Sequence, residues 1–257
     1  MSYEKFSSLD EYQLPKILEL ASHEKELVYF GTYHSNDPTD SLFDFIRARI
    51  DSLDPDYVLH EGGDNWPIYP KVDSTISVSG EPGFIIQHCQ EKEIEYSSIE
   101  PPASAEYARL LELYDLDWVV LMYLCRQVDN QQRFMTQFKT TDEDFERNIN
   151  YFLSQLKTDG VPIRNEQTQY PYWQGRYLAL IGKELDWRTF DPSEYYPNFN
   201  KTKMNEVNRA SDQFRNEWMV EIVLKILEQH DRVFILVGGG HLIIQEAVLK
   251  HKFKKRF

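Results

Sequence analysis

Two histidines of this chain each stand three residues after a glycine, in the segments GTYH (31–34) and GGGH (238–241). Each segment follows a short run rich in apolar and β-branched residues, which predicts a position just beyond the end of a buried strand. In open parallel sheets, ligands bind outside the carboxyl ends of the strands. We therefore expect His34 and His241 to share a site, provided that their strands are near neighbours. One G-x-x-H segment carries little information, whereas two copies at strand ends are moderately specific.

Two glutamates occupy the same position after two other predicted strands. Glu61 stands in VLHEGG at the end of the second strand, and Glu100 stands in YSSIEPP before a proline pair that ends the third. Two imidazoles and two carboxylates are a donor set that divalent metal ions take in proteins. An isolated glutamate here is more often a loop residue or a helix cap. The shared position at four strand ends is what favours a site.

The neighbouring His60 is a weaker candidate than Glu61. Adjacent residues of an extended strand point to opposite faces of the sheet, so His60 and Glu61 are not expected to serve one site together. The segment HEGGD also lacks the spacing of the HExxH helix found in zinc proteases. We therefore prefer Glu61.

A cationic candidate, Arg215, begins the segment RNEWM (215–219). Its planar guanidinium could hold a carboxylate or bind an anionic intermediate. An arginine on a helix is ordinarily a solvated side chain, so this assignment depends on the other residues of the site.

The elements that must position these residues are short strands separated by helices. One helix is predicted from an N-cap at Asp37 through Leu53, and a shorter one over 82–93. This alternation predicts an α/β fold with a mostly parallel central sheet flanked by helices and joined by right-handed crossovers. The four predicted strands cover 26–31, 56–62, 93–100 and 232–240.

The middle of the chain has a different character. Residues 103–157 are rich in helix formers, the following segment KTDGVPIRNEQTQYPYWQGRY (157–177) is typical of a packed loop, and no catalytic motif occurs from about 103 to 200. We predict a single α/β domain over 1–257, with the segment from about 103 to 200 as a helical insertion that forms a cap or a cleft wall. A long helix over about 203–229 then leads into the last strand.

Composition limits the partners and the compartment. The net charge is −14, with 28 basic and 42 acidic residues, which argues against nucleic acid or an anionic membrane as the main partner. Cys89 and Cys125 lack CxxC spacing, so neither a disulfide framework nor a cysteine zinc site is expected. The first 20 residues lack a basic segment followed by an apolar one, so no secretory signal is predicted. We expect a cytoplasmic protein with a small-molecule or peptide substrate.

Five segments, in this order, resemble the signature of the TraB/TIKI superfamily: YFGTYHSND, VLHEGG, SSIEPP, RNEWMVEIV and VFILVGGGHL. That group includes TraB/PrgY and GumN-like proteins and the TIKI ectodomain proteases, and more distantly erythromycin esterases and haem-binding ChaN proteins. The resemblance covers about 27–105 and 209–250. In two places this chain departs from the family pattern: GGGH has no alanine between its glycines, and His60 replaces a usually aliphatic residue. The site residues that the resemblance marks are His34, Glu61, Glu100, Arg215, Asn216 and His241.

The resemblance implies hydrolysis of an amide or an ester, in one of two versions. In the metal version, Mn, Co or Zn is bound by His34, Glu100 and His241. Glu61 is then the base for a bound water, and Arg215 stabilises the oxyanion.

In the metal-free version, close to the erythromycin esterases, His34 is itself the base for water and Glu61 orients it. His241 and Arg215 then bind the substrate carbonyl. A non-catalytic protein that binds a metal or haem is another reading, with the aromatic segment YPYWQGRYLAL (170–180) as a candidate lining of an apolar cleft. A scaffold without activity is the last alternative, and the sequence leaves all four open.

Overall fold

The computed structural model describes residues 13–63, 65–135 and 141–257. Residues 1–12, Asp64 and residues 136–140 lie outside the described residues. The first range belongs to the N-terminal segment in which no secretory signal is predicted, and the last belongs to the predicted insertion. The described part contains five strands and eight helices, besides the 3-10 turns Asn165–Thr168 and Pro192–Glu194. The strands are β1 (Lys16–Ala21), β2 (Glu26–Thr32), β3 (Tyr57–His60), β4 (Glu95–Ser98) and β5 (Arg232–Gly238). The helices are α1 (Ser41–Leu53), α2 (Val72–Lys92), α3 (Ala103–Leu113), α4 (Leu116–Met135), α5 (Asp142–Thr158), α6 (Tyr170–Ile181), α7 (Lys203–Gln229) and α8 (Gly239–Arg256).

The sheet has the order β1-β2-β5-β3-β4, in which β1 is antiparallel to β2 and the other pairs are parallel. The predicted α/β fold with a mostly parallel sheet flanked by helices is confirmed. Because β5 pairs directly with β2, with Thr32 opposite Gly238, the two G-x-x-H segments leave the sheet side by side. The strands that lead to Glu61 and Glu100 follow in the order, so all four strands end at the same edge.

The first strand was missed by the sequence analysis, which began the sheet at residue 26. The segment KILELA (16–21) pairs with β2 along its whole length and joins it through a turn in which Ser22 N–H donates to Lys25 O. The charged residues HEKE (23–26) cover this turn and the first position of β2. The strand was missed because these charged residues look like a loop and because its only buried residue is Leu18.

The near-continuous apolar character of β5 follows from burial on both faces of the sheet. Phe234 and Leu236 pack with residues of α1 and α2, whereas Val233, Ile235 and Val237 pack with residues of α7 and α8. Alternate side chains of a strand point to opposite faces, so each layer of helices receives every second residue. This double burial holds the strand ends, and the side chains beyond them, in fixed positions.

The chain divides into two compact units. One consists, among the described residues, of Pro102–Phe214, and the other of 13–101 with Arg215–Phe257. The first unit contains the residues of the predicted helical insertion, about 103–200, and has an apolar core of its own. Trp173 and Tyr177 are buried within that core, whereas Tyr170 lies at the wall of an open pocket together with Gln174 and Leu178. The reading of 170–180 as the lining of an apolar cleft stays a prediction. The predicted role of the insertion as a cap or cleft wall stays a prediction.

Two helix boundaries differ from those predicted. The N-cap of α1 is Asp40, whose side chain accepts from Leu42 N–H, so the assignment of Asp37 was wrong. Asp37 instead accepts from Thr39 N–H in the preceding turn. Helix α2 begins ten residues before the predicted helix over 82–93 and is broken at Gly80, which has φ 55° and ψ −145°. Among the helices of the described residues, none combines the length and apolar character needed to cross a membrane.

The glycine of the first G-x-x-H segment serves close packing. A Cβ on Gly31 would lie 2.9 Å from Cα of Gly239 and 3.2 Å from the side chain of Leu242. We predict that Gly31→Ala lowers the free energy of unfolding by about 1–3 kcal/mol, the usual cost of overpacking a closed interior. Chemical denaturation with a circular-dichroism readout measures this.

The matched control is Gly240→Ala, in the first turn of α8, where an added Cβ meets no atom within 4 Å. Its free energy of unfolding should be unchanged or slightly raised, because alanine favours a helix over glycine. Equal stability of Gly31→Ala and wild type would contradict the close approach of β2 and α8.

Candidate active site

Glu61 lies directly beyond β3, and its backbone N–H still donates to Leu236 O of β5 at 3.0 Å. The Oε2 atom of its carboxylate accepts from the N–H of Gly238, at the end of β5. The Oε1 atom lies 3.5 Å from Nε2 of His241 and 3.4 Å from a terminal nitrogen of Arg215. One carboxylate thus contacts the end of a strand and side chains from two helices.

Arg215 bridges the two glutamates that the sequence singled out. Its Nε donates to Oε2 of Glu100 at 3.0 Å, and Nη2 donates to Oε1 of the same carboxylate. The same Nη2 atom faces Glu61, so a single guanidinium compensates two partly buried carboxylates. Bidentate contacts of this kind fix both the position and the plane of the arginine.

His241 is oriented by a chain of hydrogen bonds behind it. The hydroxyl of Tyr29 donates to Oε1 of Gln245 at 2.8 Å, and Nε2 of Gln245 donates to Oδ1 of Asn216 at 2.8 Å. Nδ1 of His241 lies 3.0 Å from that Oδ1 atom. An amide oxygen can only accept, so Nδ1 carries a hydrogen and Nε2 faces Glu61.

This arrangement requires a positive charge between His241 and Glu61. A bare Nε2 lone pair and a carboxylate oxygen 3.5 Å apart repel each other unless a proton or a cation lies between them. The pair can therefore hold either an imidazolium or a metal ion. Burial, followed by the charges of Glu61 and Glu100, raises the pKa of Tyr29 well above its usual value, so its hydroxyl remains a donor to Gln245.

His34 approaches the same group from the end of β2. Its side chain is exposed, and its backbone has φ 60°, a left-handed conformation that few residues other than glycine adopt. A Cβ added to Gly238 would lie 2.8 Å from Nε2 of His34 and 3.2 Å from Oε2 of Glu61. The two atoms are therefore within about 6 Å of each other, the sum of those distances. Because position 238 lacks a side chain, the imidazole and the carboxylate can face one space.

The site contains a third glutamate that the sequence analysis missed, Glu81. Its Oε1 atom accepts from the hydroxyl of Thr32 at 2.8 Å and from Ser35 N–H at 2.9 Å, and lies 3.8 Å from Nδ1 of His34. The signal in the sequence is SGEPG (79–83), in which a glycine and a proline flank the glutamate inside an otherwise helical segment. The unselected neighbour His60 is fully buried and lies beside the ring of Tyr96.

The electrostatic environment separates the roles of Glu61 and His34. Burial alone would raise the pKa of the Glu61 carboxyl, but the hydrogen bond and charge of His241, together with Arg215 and Gly238 N–H, hold it far below its usual range. So weak a base is unsuited to removing a proton from water at neutral pH. The neighbouring Glu81 carboxylate raises the pKa of His34 against the opposing effect of partial desolvation by the surrounding residues, and the charge of Glu61 adds to this increase. His34 is thereby the better placed general base.

The donor atoms of Glu61, Glu100 and His241 lie within 4.8 Å of one another, so this trio could hold a metal ion. Two members match the predicted trio of His34, Glu100 and His241, and Glu61 stands where the prediction had His34. Two carboxylates and an imidazole suit a divalent cation. Arg215 already binds both oxygens of Glu100, so a metal ion would share that carboxylate with the guanidinium.

Comparisons with known proteins add no relative: no protein-family model matches the chain, no curated protein is similar to it, and no solved structure matches it. The resemblance to the TraB/TIKI superfamily therefore rests on the five sequence segments, and membership stays a prediction.

The depressed pKa of Glu61 predicts how its substitution depends on pH. A carboxyl whose folded-state pKa lies below its unfolded value of about 4.3 adds stability above that pH and loses it on acidification. Glu61→Gln cannot titrate and lacks this contribution. We predict that wild type is more stable than Glu61→Gln near pH 7, and that the difference narrows as the pH falls towards about 3.

Urea unfolding at a series of pH values measures the two free energies. The matched control is Glu24→Gln, an exposed position in the turn between β1 and β2, for which the difference from wild type should stay small throughout. A difference between wild type and Glu61→Gln that does not change with pH would contradict the strong compensation of this carboxylate.

Proposed function

We propose that this chain is a hydrolase of the TraB/TIKI type that directs water onto an ester or amide carbonyl, with His34 as the general base. The observation that carries the proposal is the space beside Gly238, where a Cβ would lie 2.8 Å from Nε2 of His34 and 3.2 Å from Oε2 of Glu61, so both atoms border the same point. A base with a raised pKa there faces a group of a guanidinium, an imidazole and two carboxylates. The proposed location is the cytoplasm, and the proposed partner is a small-molecule or peptide substrate.

The reaction begins when Nε2 of His34 takes a proton from water as the water oxygen forms a bond to the carbonyl carbon. The carbonyl π electrons move onto the oxygen, and N–H groups of Arg215, together with Nε2–H of His241 in its imidazolium form, stabilise the resulting negative charge. Collapse of the tetrahedral intermediate breaks the bond to the leaving group, which takes the proton from His34. Glu61 and Glu100 hold Arg215 and His241 in place, and Asn216 fixes the plane of the His241 ring.

A divalent ion fits the same proposal if it is held by Glu61, Glu100 and His241. When bound, Mn, Co or Zn supplies Lewis-acid polarisation of a carbonyl or a water at this point. The water-activating role of His34 does not depend on it. This assignment differs from the metal version predicted from the sequence, in which His34 was a metal ligand and Glu61 the base. It keeps the role that His34 has in the metal-free version.

A second candidate function is non-catalytic metal binding. The observation that favours it is the hydrogen-bond chain from Tyr29 through Gln245 and Asn216 to His241, because metal-ligating histidines are usually oriented in this way through the other ring nitrogen. Such a protein would bind the ion without turnover. The next two experiments separate the two functions.

Activity against a panel of p-nitrophenyl esters, lactones and peptide amides tests the hydrolase. We predict that His34→Ala lowers kcat/KM for the best substrate by about 10²–10⁴-fold, the usual contribution of a general base. The control is His251→Ala, at an exposed position on α8, which should retain wild-type activity. No turnover by wild type on any substrate class, with and without Mn²⁺, would remove the support for a hydrolase.

Titration calorimetry with Mn²⁺ and Zn²⁺ tests which residues hold a metal. We predict that Glu100→Gln weakens binding at least about tenfold, whereas His34→Ala leaves the affinity unchanged. Loss of binding in His34→Ala equal to that in Glu100→Gln would instead favour the trio predicted from the sequence. Stoichiometric binding without turnover of any substrate would favour the non-catalytic function.

A further inference from the structure

Glu81 is a buried carboxylate at the break in α2. The backbone of Gly80 has φ 55° and ψ −145°, a combination that is essentially restricted to glycine. A Cβ at this position would lie 3.1 Å from the carbonyl oxygen of Ser35, so the break packs directly under the loop that follows β2. The side chain of Glu81, which is 5% exposed, therefore lies beneath the loop that carries His34.

Glu81 accepts hydrogen bonds from residues on both sides of His34 in the sequence. Its Oε1 atom accepts from the hydroxyl of Thr32, two residues before His34, and from the N–H of Ser35, one residue after it. Burial of a carboxylate is costly unless hydrogen bonds and an opposite charge compensate it. Both donors are neutral, so the nearby imidazole is the group that can supply a positive charge.

The ring of His34 lies between two carboxylates. Nδ1 lies 3.8 Å from Oε1 of Glu81, and Nε2 faces the space above Gly238 that Oε2 of Glu61 also approaches. The distance of 3.8 Å is longer than a hydrogen bond, and contacts of this kind often shorten when substrate binds. The left-handed backbone of His34 is the local strain that turns the ring into this position.

We propose that Glu81 is the positioning residue for His34: it accepts the hydrogen on Nδ1, so that the lone pair of Nε2 is the one directed at water. The inference rests on the proposed function, because it assigns Glu81 a task only if His34 is the base. Glu81 acts through His34 and does not touch the substrate. A carboxylate that fixes the tautomer and the plane of a catalytic imidazole is a general arrangement.

The test uses Glu81→Gln in the full chain. Glutamine keeps an oxygen that accepts from Thr32 and Ser35, so the loop should remain folded and the unfolding midpoint close to that of wild type. Its amide group can also donate to Nδ1 and thereby favour the wrong tautomer. We predict that kcat falls by about 10–100-fold while KM changes little, and that Glu81→Asp recovers part of the loss. The matched control is Glu91→Gln, an exposed carboxylate on the same helix, which should retain wild-type kcat.

A second measurement does not depend on activity. The ¹⁵N chemical shifts of the His34 ring, assigned by comparison with His34→Ala, report which nitrogen carries the hydrogen. Wild type should show the Nδ1–H form, and Glu81→Gln should shift the population towards Nε2–H. An unchanged tautomer together with an unchanged kcat would overturn the role of Glu81. Full activity of His34→Ala would instead contradict the proposed function, so the two failures are distinguishable.

Discussion

The carboxylate of Glu61 is the contact on which the site depends. It accepts from the end of β5 through Gly238 N–H, and it faces Arg215 of α7 and His241 of α8. A partly buried negative charge is stable only with such compensation, and the carboxylate in turn helps to hold the guanidinium and the imidazole in position. Loss of this one group would leave a guanidinium and an imidazole without a shared partner.

Glycines make this concentration of polar groups sterically feasible. Gly31 lets β2 approach the start of α8, and the missing side chain of Gly238 leaves room for both His34 and Glu61. The glycine in each G-x-x-H segment thus has a packing explanation. In the second segment the strand passes into a helix without a loop, so His241 lies in the first turn of α8, partly buried and held by Asn216.

Local patterns were enough to locate His34, Glu61, Glu100 and His241, because each one lies at the end of a predicted strand or just beyond it. Arg215 and Asn216 lie within α7 and have no such signal. The order of the strands was not predictable in the same way, since the insertion of β5 between β2 and β3 depends on pairs of residues that lie 206 and 176 positions apart in the sequence. The sequence therefore predicted that His34 and His241 share a site only if their strands are near neighbours. The pairing of β2 with β5 meets that condition. Glu81 was missed for a different reason: the predicted helix began at Pro82, one residue later, and no local pattern indicates that Glu81 contacts the loop after β2.

The central claim is that His34 and His241 act as parts of one catalytic group joined through Glu61. A double-mutant cycle in kcat/KM, with His34→Ala, His241→Ala and the double variant, tests it most directly. Residues that act as a unit give strongly non-additive losses, so the double variant should be about as active as the worse single variant. Losses that multiply in the double variant would contradict a shared site and would place the two histidines in independent roles.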